Sequence, residues 1–112
     1  MPVEAIQEEL ATDNAFCEWF IAELGLPRFF SVNGVWKSIS AFGLGETDIL
    51  FSYNSDKRKI FVLIENKLDA SFQNEQLNRY LMRAEEYLKT KECDEAFTVL
   101  IAPVLYCENQ SF

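Results

Sequence analysis

Asp48, Glu65 and Lys67 are charged residues set at the ends of two apolar, β-prone runs. The first run begins Gly45-Glu46-Thr47-Asp48 and continues to Tyr53; the second is Ile60 to Lys67. A polar hexapeptide, Asn54 to Lys59, lies between them. Such a pattern predicts a β-hairpin. If the chain turns about the Asp56–Lys57 bond, opposed residue numbers sum to 113, and Asp48 faces Glu65. Side chains directly opposed on one sheet face have Cβ atoms roughly 4.5–5.5 Å apart, and like charges there repel. Lys67 shares the face of Glu65, because strand side chains repeat every two residues. A divalent cation resolves the conflict. Mg²⁺ takes oxygen ligands at about 2.0–2.1 Å and keeps several waters. Asp48 and Glu65 would supply carboxylate oxygens and Asn66 a backbone carbonyl. Lys67 would orient or deprotonate a water, or stabilise developing negative charge. Together these are the parts of a metal-dependent phosphodiesterase. The plain alternative is a set of strand-end acids, with Lys67 paired to Glu65 or Glu46.

Several elements must position these residues. Val3, Ile6 and Leu10 fall at helical spacing, and a second helix is predicted over Asn14 to Leu24. Thr12 or Asp13 is its N-cap, and Gly25 and Pro27 end it. A first strand is expected within Val32 to Ser40, with Asn33-Gly34, a strong turn pair, near its start. Ala41 to Gly45 then bends the chain into the hairpin. After Lys67, a loop leads to a helix from about Glu75 to Lys89, with Leu77, Tyr80, Leu81, Ala84 and Leu88 on its predicted apolar face. Ala96 to Ala102 reads as a last strand. A strand–helix–strand crossover places it parallel to the Glu65 strand.

Composition bounds the possibilities. The 112 residues are 49% hydrophobic, with ten Phe, enough for one domain with a packed core. Trp19, Trp36 and the Phe residues read as core or interface. The formal net charge of −8 disfavours a simple electrostatic grip on a phosphate backbone. Lys57-Arg58-Lys59 reads as a solvated turn. Cys17, Cys93 and Cys107 are odd in number and widely spaced, and the chain has no His. This argues against a zinc site and for reduced thiols in a cytoplasmic protein. The acidic N-terminus has no signal-peptide core, and no apolar run approaches the roughly 20 residues of a membrane span.

Asp48, a strand-length gap, and then Val62-Leu63-Ile64-Glu65-Asn66-Lys67 resembles the motif of the PD-(D/E)XK nuclease superfamily. Within it, the chain is similar to a bacterial group with an N-terminal Glu-Glu-Leu helix and a Gly-Glu-Ser-Asp strand. That group continues with Ile-Glu-Asn-Lys-Ile-Asp-Ala and a Gln-containing helix. Here Glu8-Glu9-Leu10, Gly45 to Asp48, Ile64 to Ala70, Glu75-Gln76 and Val99 to Pro103 match in order. Thr47 stands where the name-giving proline would be.

The resemblance implies an α/β (α+β) fold: a restriction-endonuclease-like core, with a mixed β-sheet of about four strands flanked by helices. It implies one domain over 1–112, truncated at the C-terminus relative to members that continue with further helices. Asp48 and Glu65 would be metal ligands and Lys67 the catalytic lysine. Many members also aim an acid from the N-terminal helix at the metal; Glu9 is favoured here over Glu8 and Glu18. Gln76-x-x-x-Tyr80 resembles an element of nucleases that process DNA ends, and positions i and i+4 share a helix face. Gln76 is accordingly expected in the catalytic set and Tyr80 at the substrate. Arg79 and Arg83 would touch phosphate, or else pair with Glu75 or Glu86.

The expectation is therefore a nuclease that hydrolyses DNA phosphodiesters with Mg²⁺ or Mn²⁺. The rival is a nuclease fold kept as a non-catalytic binding or assembly module, with a homodimer as its simplest form.

Overall fold

The computed structural model describes residues 3–66 and 74–101. Its elements are helices α1 (Val3–Thr12) and α2 (Asn14–Glu23), strands β1 (Ser31–Ser40), β2 (Glu46–Ser55) and β3 (Arg58–Asn66), helix α3 (Asn74–Lys89) and strand β4 (Glu95–Ile101). The strands form one mixed sheet in the order β1-β2-β3-β4. The first three run antiparallel, and β4 lies parallel to β3 as the crossover requires.

Local chemistry explains the breaks between elements. Asp13 alone separates α1 from α2. Its backbone is extended and its carboxylate accepts the Phe16 N–H at 3.1 Å, so it caps the second helix as it interrupts the first. At the other end Gly25 adopts φ 69°, the left-handed conformation that closes helices. The β2–β3 turn is the two-residue loop Asp56-Lys57, with Asp56 at φ 58°. Ser55 faces Arg58, Ile49 faces Ile64, and every pair between them sums to 113. The hairpin register read from the sequence therefore holds.

Asn33-Gly34 is not a turn but a β-bulge inside β1. Val32 pairs with Tyr53 and Gly34 with Ser52, leaving Asn33 as the extra residue. Its side-chain amide is engaged by Asn54 in both directions, at 2.8 and 2.9 Å. Val32 and Val35 are three residues apart and would face opposite ways in a regular strand. The bulge lets both pack on the same core. The Trp36 ring folds back over Gly34, in the space a Cβ would occupy.

Two apolar layers sandwich the sheet. Ile6 and Leu10 of α1 and Cys17, Phe20 and Ile21 of α2 pack on Ile49, Phe51, Tyr53, Ile60, Val62 and Ile64. The opposite face carries Leu50, Phe61 and Leu63, covered by Tyr80, Ala84 and Tyr87 of α3 with Cys93. Cys17 and Cys93 are free, buried thiols; Cys107 lies outside the described residues.

The expected apolar face of α3 is corrected by rotation. Tyr80 and Ala84 are buried as predicted. Leu77, Leu81 and Leu88 are instead exposed, and Arg83 and Tyr87 take their place inside. Long amphipathic side chains can bury their apolar bodies and still satisfy their polar ends, and α3 turns toward two tyrosines and an arginine. Among the described residues, no helix is long and apolar enough to cross a membrane.

Candidate functional site

Asp48 lies one step beyond the Ile49–Ile64 pair on β2, and Glu65 one step beyond it on β3. Strand alternation puts Asp48 on the face of Leu50, and Glu65 on the face of Phe61 and Leu63. Both therefore point to the side covered by α3. Each is half-buried. The two acids share the face and the strand end that a common ion requires.

Tyr80 joins them. It is only 3% exposed. Its hydroxyl oxygen accepts the backbone N–H of Asp48 at 3.3 Å, and Glu65 lines the same pocket beside it. Burial first, then the interaction with the Glu65 carboxylate, raises the phenol far above its usual range. The charge of Asp48 acts in the same direction. Tyr80 therefore sits beside one carboxylate and holds the backbone of the residue that carries the other.

A pocket of about 150 Å³ opens beside this junction. That is well above the roughly 10–15 Å³ one water needs. Glu65, Gln76, Arg79, Tyr80 and Arg83 line it, with Gly45 and Glu46 from the start of β2. Gln76 is exposed at its rim. Arg79 is 54% exposed and pairs with Glu75 at 3.6 Å, one helical turn away. Arg83 behaves differently. It is 2% exposed, its Nη1 donates to the Leu44 carbonyl, and its guanidinium carbon sits 4.2 Å from the Tyr80 ring centre.

The structure thus gathers five of the expected residues at one pocket and places Asp48 against it through Tyr80. Glu9 is not among them. It sits on α1, whose Ile6 and Leu10 pack on the opposite face of the sheet. Among the described residues, no three acids, cysteines or histidines come close enough to hold a metal. The helical spacing of Glu9 was legible, but the face on which α1 docks was not. Asn66 ends β3, paired with Ile101, so its backbone carbonyl belongs to the same strand end. Lys67 lies outside the described residues.

Two residues at this pocket escaped the sequence reading in their roles. Leu44 offers the carbonyl that Arg83 holds, and Gly45 leaves room for that guanidinium: a Cβ there would lie 2.9 Å from Nη1. Arg83 follows Tyr80 by three residues, a spacing equally suited to a phosphate contact, so only the packing separates the two roles.

The donor set fits a hard divalent cation. Two carboxylates on one face, next to an open polar pocket, match the way Mg²⁺ is commonly held, by one or two carboxylates with waters and substrate phosphates making up the rest. No curated protein and no solved structure matches this chain. A family model described as the PD-(D/E)XK nuclease superfamily matches residues 42–111, a span that takes in β2, β3, α3 and β4. More than half of the chain is covered by that match, and the acid-bearing hairpin lies inside it: the chain belongs to the PD-(D/E)XK nuclease superfamily.

Proposed function

We propose that this protein hydrolyses phosphodiester bonds in DNA, using Mg²⁺ or Mn²⁺ held by Asp48, Glu65 and the backbone carbonyl of Asn66. The observation that carries the reading is the placement of Asp48 and Glu65 at one end of the β2–β3 hairpin, on the face that Tyr80 closes. The cation, when bound, would polarise the phosphodiester and lower the pKa of a water. Lys67, two residues beyond Glu65, would orient that water or stabilise charge developing on the phosphate. Gln76, at the pocket rim, would position the attacked group. Among the described residues, Arg79 is the exposed cation at the pocket and the natural contact for a substrate phosphate.

The test is calorimetric titration of Mn²⁺ into wild type and Asp48→Ala, followed by incubation of both with labelled single- and double-stranded DNA. Metal binding and metal-dependent cleavage by the wild type, both lost in Asp48→Ala, are expected. A wild type that binds no metal would overturn the site.

A second reading, a non-catalytic assembly module, is favoured by one observation. Leu77, Leu81 and Leu88 leave an apolar stripe on α3 facing solvent. Metal binding without cleavage, together with a homodimer by sedimentation that Leu81→Lys dissociates, would put this reading ahead.

A further inference from the structure

We propose that Arg83 is a positioning residue that sets the geometry of the Asp48–Glu65 pair, acting through Leu44 and Tyr80 rather than touching substrate. This rests on the reading of those two acids as cation ligands.

Arg83 and Tyr80 are three residues apart on α3, so they occupy one helix face. They grip the entrance of β2 at two points. Arg83 Nη1 donates to the Leu44 carbonyl, and the Tyr80 hydroxyl accepts the Asp48 N–H. Leu44 and Asp48 are four residues apart, and Gly45, with φ 95°, lies between them. That conformation suits glycine, and a Cβ at Gly45 would press on the guanidinium. The same guanidinium lies over the Tyr80 ring at 4.2 Å, a cation–π contact that limits where the ring can go. The Tyr80 ring in turn carries the hydroxyl that meets Glu65. One buried cation therefore ties down both the backbone leading to Asp48 and the ring that sits beside Glu65.

Burial argues against a direct phosphate role. Arg83 is 2% exposed, one of its nitrogens is spent on Leu44, and its flat face is spent on Tyr80. Arg83 Nε has no hydrogen-bond partner among the described residues. A buried charge with an unmatched donor costs stability, and a methionine would fill the same space without that cost. What methionine would not do is hold the Leu44 carbonyl. Residues that orient metal ligands typically change metal affinity by about 10–100-fold when replaced.

The experiment compares wild type, Arg83→Met and Arg83→Lys by Mn²⁺ calorimetry and by hydrogen exchange of the Asp48 amide. Arg83→Met is expected to weaken Mn²⁺ binding at least about tenfold. It should also speed exchange at Asp48 while leaving the Leu63 amide, mid-strand in β3, unchanged. Arg83→Lys keeps the charge but not the planar fork, and should fall between. Unchanged Mn²⁺ affinity and unchanged Asp48 exchange in a folded Arg83→Met would overturn the proposal. So would a loss of DNA affinity alone, which would make Arg83 a phosphate contact. If Arg83→Met does not fold, Arg83→Lys is read by the same two measurements: weakened binding with faster Asp48 exchange supports the role, and wild-type values sink it. A wild type that binds no Mn²⁺ removes the ligand reading, and Asp48 exchange in Arg83→Met then judges the clamp by itself.

Discussion

The hydroxyl of Tyr80 accepts the backbone N–H of Asp48 at 3.3 Å. A helix side chain thus completes the hydrogen bonding of a strand residue at the point where β2 and β3 part. Replacing Tyr80 by Phe keeps the ring and removes the acceptor. The Asp48 N–H would lose its acceptor, and a buried group left unmatched costs about 1–3 kcal/mol. Urea denaturation of Tyr80→Phe should show a loss in that range. A variant as stable as the wild type would mean that water replaces the hydroxyl at no cost.

Gly45→Ala should be destabilising for two reasons that add. The residue sits at φ 95°, and its new Cβ would lie 2.9 Å from Arg83 Nη1. A non-glycine residue in such a conformation costs on the order of 1–3 kcal/mol. Gly43→Ala, also at positive φ but with open space around it, should cost less. The difference between the two, read from thermal or chemical unfolding, reports the contact with Arg83 together with the greater backbone strain at φ 95°.

Arg79 offers the opposite test. Its pairing with Glu75 is exposed and one turn apart, a geometry that contributes only about 0.3–0.5 kcal/mol. Arg79→Ala should therefore leave stability nearly unchanged. If it meets a substrate phosphate, DNA affinity should drop and the dependence of log affinity on log salt should fall by about one. A salt slope identical to wild type would remove Arg79 from the substrate surface.

The two buried thiols predict a pH dependence. Burial raises Cys17 and Cys93 from 9.0 to about 11 each, with Asp13 adding to the rise at Cys17 and Asp94 at Cys93. The folded state thus holds these protons more tightly than the unfolded chain. That contribution to stability is complete below about pH 9 and is lost as pH rises to about 11. Unfolding free energies measured between those limits should decline, and Cys17→Ala, Cys93→Ala together should flatten the decline. A slope unchanged in the double variant would assign it to other groups, such as Tyr53, which is raised to about 12.

How much of this was legible in the sequence differs from element to element. The hairpin was. Its polar hexapeptide leaves one economical place for the turn, and strand alternation then puts Asp48 and Glu65 on one face without further information. The cap at Asp13 and the parallel β4 follow from equally local rules. Asn33-Gly34 misled because the same residues that favour a turn also favour a bulge, and only pairing with β2 distinguishes them.

Two things were decided by the tertiary structure alone. The first is the rotation of α3. Apolar periodicity marks Leu77, Leu81 and Leu88, yet the helix buries Tyr80, Arg83, Ala84 and Tyr87. Hydrophobicity counts transfer from water, and it cannot register the Leu44 carbonyl, the Asp48 amide or the Glu65 carboxylate that await polar partners under the helix. The second is the side of the sheet on which α1 docks, opposite the face shared by Asp48 and Glu65. Helical spacing says which residues share a stripe; which surface that stripe meets is a long-range packing choice. The sequence by itself thus determined the acid-bearing hairpin, whose geometry comes from bonds between neighbouring strands. Packing across the sheet decided what surrounds it.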